Sequence, residues 1–368
     1  MRILGFGTYD LAKHPRVGII LDGFRALGDD VVELNEPLGF TTAQRVAMLR
    51  KPWLAYRLVL RVLVRWAALV GGWRRTAPHR KFDAVIVGYL GQFDVLLARL
   101  LYPRGFIVLD LMIFGADTAR DRGVTTGPKH RILTTIDQLA VSAANVVVLD
   151  TPEHLDLLRP RDRAKAVVVE VGAPTSWLAV GAGTPRERRH DGGLRVIFFG
   201  LYTPLQGATV IGDALAQLAD RSDITVTMVG TGQDYEATRE RARDNPNVRW
   251  QDWVEAEELP KLAAEHDLCL GIFGTGPKAR RVVPNKVYQG AAAGCAILTS
   301  DTVSQRRTLG DAAVYVPAGD AEALAALVRK LADNPDEIAD LQARAHAAAT
   351  DRFTPSAIVV GLRDRLAR

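Results

Sequence analysis

Lys278, Arg280, Arg281 and Lys286 crowd one short stretch in the second half of the chain, just after Gly274 and Gly276 and around Pro284 and Asn285. Fixed positive charge beside glycines suits phosphate. Glycine lets main chain approach a ligand closely, and arginine meets phosphate oxygens in bidentate, charge-assisted bonds. The flanking residues indicate how the group is held. Residues 268–273 form a short apolar run the size of a buried parallel strand, which Gly274, Gly276 and Pro277 break into a loop. Pro284 suits the first turn of a helix, 285–293 is rich in helix formers, and Gly294 is placed to cap it. Residues 296–299 read as the next strand. A helix start at the carboxyl end of a parallel sheet offers unpaired N–H groups and a positive dipole end, so the stretch reads as a diphosphate site. The bare cluster is also compatible with a solvated surface patch.

The run Pro284-Asn-Lys-Val-Tyr-Gln-Gly-Ala-Ala-Ala-Gly294, followed by a strand ending Thr299-Ser-Asp301, resembles the donor-site helix of the family-4 glycosyltransferases. These are retaining enzymes of the GT-B fold that use nucleotide-diphosphate sugars. The family carries two glutamates separated by seven residues. Aligned on Gly294, they fall at Gln289 and Arg281, so neither acid is present. The resemblance gives the Gln289 position to the donor ribose; Gln289 still bonds hydroxyls, without charge, whereas Arg281 would turn to phosphate. It also places a diphosphate-binding lysine and arginine in the loop 200–207, where this chain has Gln206 and Leu201. We read that charge as moved onto Lys278, Arg280, Arg281 or Lys286.

At 368 residues, the chain is long enough for two domains of ~180 residues. A hydrophobic content of 48% with 24% charged residues fits a soluble protein with ample core. The two cysteines, Cys269 and Cys295, fall at strand ends and read as reduced core residues of a cytosolic protein. No metal-ligand cluster stands out among the seven histidines, and neither metal nor cofactor is expected beyond the co-substrate. Met1-Arg-Ile-Leu-Gly5 reads as a strand and not a signal peptide. A net charge of +5 and a pI near 9.3 point to an anionic partner, nucleotide phosphate or acidic membrane. The aromatic–basic interleaving of an RNA-binding sheet is missing, and nucleic acid is not expected.

The first half opens strand–helix–strand, with residues 2–7, 21–27 and 30–35, the signature of a doubly wound sheet. Gly5 and Gly7 are too few for a dinucleotide fingerprint. Tyr9, Lys13, His14 and Arg16 follow on an expected cleft loop, with His14 and Arg16 as candidate acceptor contacts. Residues 41–81 interleave Leu, Val and Trp with Lys and Arg and hold no acid. Arg57, Arg61 and Arg65 recur every fourth residue and share one helix face, as in a helix that lies on an anionic bilayer. The apolar runs are too short to span one. Packing of the same apolar face on the domain is the alternative. Further strands are expected at 82–88, 105–109, 145–149 and 166–171. Asp110, at a strand's carboxyl end, is the candidate catalytic acid of this half. The resemblance puts a polar contact to the transferred sugar there; capping of the next segment by Asp110 or Asp117 is the plainer role.

Residues 179–193 are polar, glycine-rich and unpatterned, which reads as a linker between domains at 1–178 and 194–350. The loops 200–207 and 230–233 follow strands, and with them Gly200, Tyr202 and Gly230 join the donor site. The resemblance assigns the base to main chain near Val254, beside Trp253. Helices are expected at 255–266, 322–332, 337–348 and 355–366, the last (within 351–368) crossing back to the first domain. These readings converge on an α/β protein with two Rossmann-like doubly wound domains facing across a cleft. The implied activity moves a sugar from a nucleotide-diphosphate donor to a glycan, lipid-linked or small-molecule acceptor. Catalysis falls to Asp110, Lys286 and Arg281, with Gly274, Lys278, Arg280, Pro284, Asn285 and Gln289 also on the donor. The expected location is cytoplasmic, peripheral on the inner face of the cell membrane. A non-catalytic nucleotide-sugar-binding protein and a nucleotide-sugar 2-epimerase are the alternatives.

Overall fold

The computed structural model of the chain describes residues 1–11, 14–39, 55–76, 81–88, 91–121, 123, 125–183 and 193–368. The first sheet contains β1 (Arg2–Gly7), β2 (Asp30–Asn35), β3 (Ala84–Val87), β4 (Ile107–Asp110), β5 (Val146–Leu149) and β6 (Ala166–Val168). Its order is β2-β1-β3-β4-β5-β6. The second contains β7 (Leu194–Phe199), β8 (Ile224–Val229), β9 (Val248–Gln251), β10 (Leu268–Leu270), β11 (Ala296–Ser300) and β12 (Val314–Val316), in the order β12-β11-β10-β7-β8-β9. All pairings are parallel. The central strands AVIV, IVLD and VVVL are buried at every residue, as helices on both faces require. In the second sheet the order reverses between β7 and β10, which opens a crevice above their carboxyl ends.

The closing helix, Pro355–Leu366, lies on the helix Arg16–Ala26 of the first domain. A Cβ at Gly23 would fall 2.1 Å from the Pro355 carbonyl oxygen, so glycine is what permits the approach. Ile358, Val359 and Leu362 join the first domain's core, and Arg363 Nε donates to Asp29 at 2.8 Å.

Several boundaries differ from the sequence reading. The expected linker begins inside a helix, Thr175–Gly183, and only 184–192 fall outside the described residues. Gly181 supports no flexibility there: a Cβ on it would meet the Ala292 carbonyl oxygen at 1.9 Å, so it is a close-packing glycine. The helix expected at 255–266 is limited to Leu259–Ala264, because Glu255 to Glu258 form a turn in which Glu258 N–H bonds the Glu255 carbonyl. Arg16 opens a helix and is not in a loop.

Of the basic segment, 41–54 and 77–80 lie outside the described residues, and Ala55–Thr76 is one helix of 22 residues. Leu69 is buried on the domain, and Trp66 donates its indole N–H to Asp94 Oδ1 at 2.8 Å. Tyr56, Val59, Leu60, Leu63 and Val64 are exposed. Their spacing puts them on one side of the helix. No helix among the described residues is long and apolar enough to cross a membrane.

Candidate donor site at the second domain's switch point

The loop after β7 (residues 200–207), the loop after β10 (271–284) and the helix Asn285–Ala293 meet where the strand order reverses. Pro284 is the N-cap of that helix in extended conformation, and Gly294 closes it at φ +91°. The loops are built on each other by glycines. A Cβ at Gly274 would lie 2.4 Å from Pro204 O, one at Gly207 2.4 Å from Phe273 C, and one at Gly230 2.0 Å from Gly200 O. Gly274 and Gly230 therefore serve loop-on-loop packing, where the sequence suggested ligand approach. A side chain at Gly276 would meet Asp121 Oδ1 of the first domain at 3.4 Å.

Lys286 sits in the first turn of the helix and is only 4% exposed. Its Nζ donates to Gln206 Oε1 at 2.6 Å and stands 3.5 Å from the centre of the Phe198 ring. A Cβ at Gly200 would be 3.3 Å from that nitrogen, so glycine leaves it room. Burial depresses the ammonium to about 7, with only Cys269 pulling the other way. A lysine thus reaches the Gln206 position from the opposite wall.

The other cations point elsewhere. Arg281 is paired with Asp117 of the first domain, and its carbonyl accepts from Thr151 Oγ1 at 2.7 Å. Lys278 Nζ donates to Thr118 Oγ1 at 2.9 Å. Arg280 is exposed on an interdomain cleft of about 760 Å³, which Glu153, Asp156, Arg281 and Asp301 also line. Asn285 and Gln289 are half-buried along the helix. Val254 is half-buried against the second domain's core, while Trp253 beside it is exposed.

Three expected site residues are placed differently. Tyr202 turns its ring into the core, edge-on to Phe198 and Tyr235; only its main chain, whose N–H bonds Thr231 O at 3.1 Å, lines the loop. Arg16 and Asp110 are buried on each other: Arg16 Nε is 2.9 Å from Asp110 Oδ1, and its other nitrogens donate to the carbonyls of Glu170 and Val169. Burial pushes the Asp110 carboxyl up, and the guanidinium opposes it. A carboxylate so enclosed is a structural group, as is its arginine, and neither faces the cleft. His14 is half-buried just before the helix Arg16–Ala26, and Lys13 lies outside the described residues. The Arg281–Asp117 bridge was missed by sequence reading, since nothing local links positions 164 residues apart. Among the described residues no group of three His, Cys, Asp or Glu side chains could hold a metal ion.

Residues 193–334, nearly the whole second domain, match the model of the family described as glycosyl transferases group 1. Anabaena HepE in complex with UDP-glucose is 15% identical, with a TM-score of 0.67 over 100% of this chain and 99% of that one. Sucrose-phosphate synthase from Thermosynechococcus elongatus is 12% identical, with a TM-score of 0.69 and coverage of 100% and 98%. The UDP-forming alpha,alpha-trehalose-phosphate synthase from Burkholderia vietnamiensis is 13% identical, with a TM-score of 0.63 and coverage of 100% and 96%. No curated protein sequence matches. The fold is GT-B, and the family match over the second domain supports a glycosyltransferase.

Proposed function

We propose that the chain transfers a sugar, with retention as in the family-4 enzymes it resembles, from a nucleotide-diphosphate donor to a glycan, lipid-linked or small-molecule acceptor. The observation that carries this reading is Lys286. It is a buried cation in the first turn of the helix at the switch point, on the Gln206 side chain where the resemblance puts a diphosphate lysine. The leaving diphosphate would lie between Lys286 Nζ, the helix's first N–H groups and the loop 200–206. There the fixed charge and dipole stabilise the negative charge that develops as the glycosidic bond breaks. The charge is supplied by side chain and main chain, and the proposal needs no divalent metal. Gln289 would bond the ribose. Arg280 and Lys278 would guide the donor in, and Arg281, held on Asp117, would join the two domains around it. HepE is crystallised with UDP and UDP-glucose, so UDP is the first nucleotide to try.

Thermal stabilisation by a panel of nucleoside diphosphates tests the site. At 100 times Kd a ligand adds about 2.7 kcal/mol of stability, a readily measured shift. Lys286→Ala should abolish the shift, and Gln289→Ala should only reduce it. Equal effects would contradict the roles assigned. Slow release of free nucleoside diphosphate from a nucleotide sugar separates a transferase from a non-catalytic binder. The binder reading draws on the neutral Gln289 and on the engagement of Arg281 by Asp117.

The helix Ala55–Thr76 suits peripheral contact with an anionic membrane on the cytoplasmic side. It offers an exposed apolar side in a segment without acids, and Arg74 and Arg75 lie in its last turn. Co-sedimentation with phosphatidylglycerol vesicles tests it: Leu60→Glu with Val64→Glu should release the protein, and unchanged binding would overturn the contact.

A further inference from the structure

The interdomain cleft carries a charge that the diphosphate does not use. Its second-domain wall is made by the loops after β10, β11 and β12, through Pro277, Arg280, Val303 and Pro317. These strands lie on one side of β7, and β9, beside which the base is read, lies on the other. A donor with its diphosphate at Lys286 and its base toward β9 therefore carries its sugar over this cleft.

Each carboxylate lining the cleft has an arginine of its own. Arg307 Nη1 is 2.6 Å from Glu153 Oε1, Arg306 Nε is 2.6 Å from Asp301 Oδ1, and Arg163 lies 3.4 Å from Asp156. Arg281 is engaged by Asp117. Arg280 differs: its side chain is exposed on the cleft, and no carboxylate among the described residues pairs with it. Its main chain is pinned on both sides. Ala279 is fully buried, the Arg280 carbonyl accepts from Ser304 Oγ at 3.0 Å, and the Arg281 carbonyl accepts from Thr151 Oγ1 at 2.7 Å. A guanidinium on an anchored loop, with its donors open, suits an oxyanion and meets a carboxylate in two parallel bonds. Pro277, Val303 and Pro317 beside it offer an apolar surface to the C–H face of a sugar ring. At about 760 Å³ the cleft has room for one.

We infer that the transferred sugar is acidic: the donor is a nucleotide-diphosphate uronate, and Arg280 reads its carboxylate. The inference rests on the transferase reading and names the substrate class of that site.

The test is titration calorimetry on the full chain with three matched pairs: UDP-glucuronate against UDP-glucose, UDP-galacturonate against UDP-galactose, and GDP-mannuronate against GDP-mannose. The quantity read is the ratio of neutral to acidic Kd within a pair, in which any general loss of diphosphate affinity cancels. At least one pair should favour the uronate tenfold or more. Arg280→Gln should bring that ratio to within twofold of unity, and Arg280→Glu should reverse it. Lys261→Gln removes the same charge from an exposed helix position outside the cleft and should leave the ratio unchanged. If nucleotides bind but every neutral sugar binds as tightly as its uronate, the inference is overturned and the transferase reading stands. A ratio unmoved by Arg280→Gln, or lowered equally by Lys261→Gln, has the same meaning. Glucose 6-phosphate bound through Arg280, with no preference among donors, would put the anion on the acceptor and also overturn it. A protein that binds none of the nucleotides loses both readings.

Discussion

Lys286 shows how one residue carries opposite consequences for stability and function. Its amine titrates at about 7 in the folded protein, below the 10.5 of an exposed lysine. Below pH 7 folded and unfolded chains both hold the proton, and the folded state bears the full burial penalty. Between about 7 and 10.5 the folded chain has shed a proton that the unfolded chain keeps. The empty protein should therefore gain stability as pH rises through that window. Donor binding should run the other way, because only the ammonium is a cation: kcat/KM for the donor should fall as pH rises past 7. Lys286→Met should raise the melting temperature by several degrees and remove the nucleotide shift together, the trade expected of a group kept for binding at the expense of stability. A melting temperature that drops in Lys286→Met would contradict this account.

At the scale of elements, the glycine loops are the fragile part of the site. Gly230 has φ +114°, and a Cβ there would collide with the Gly200 carbonyl. Gly230→Ala should cost about 3 kcal/mol or more by denaturant unfolding, since strained φ alone is worth ~1–3 kcal/mol. It should also weaken nucleotide binding by separating the loops at 200 and 230. A change under 1 kcal/mol would mean that these loops are not packed as described. Much of this was legible in the sequence. Pro284 and Gly294 bracket the helix Asn285–Ala293 by local chemistry alone, and the apolar runs of β3, β4 and β5 declare a buried parallel sheet. Side-chain direction was less legible. Tyr202 lies in a loop and Asp110 at a strand end where function is expected, and Arg16 opens a helix where a cleft loop was expected, yet tertiary packing turns all three inward, and no local pattern encodes that. Gly181 misled for the same reason: loop glycine and packing glycine are identical in one dimension.

At the scale of the molecule, the cleft is closed by contacts between domains. Arg281 meets Asp117, Lys278 meets Thr118, and Arg307 forks onto Glu153, with Nη1 2.6 Å from Oε1. The last pair is partly exposed and contributes little alone, ~1 kcal/mol or less. The Arg281–Asp117 pair is more enclosed, and removing one partner leaves the other charge uncompensated. Asp117→Ala with Glu153→Ala should enlarge the radius of gyration by small-angle scattering without nucleotide. An unchanged scattering profile would mean that the shared core of Val171, Ala173, Tyr288 and Phe353 alone sets the domain angle.

Titration calorimetry of UDP at pH 8, in buffers of different ionisation enthalpy, addresses the diphosphate site most directly. At that pH the Lys286 amine is largely neutral in the empty protein. A diphosphate placed on it should draw a proton from the buffer, and that uptake should vanish in Lys286→Met along with most of the affinity. UDP binding without proton uptake, or with the same uptake in Lys286→Met, would mean that the diphosphate lies somewhere else.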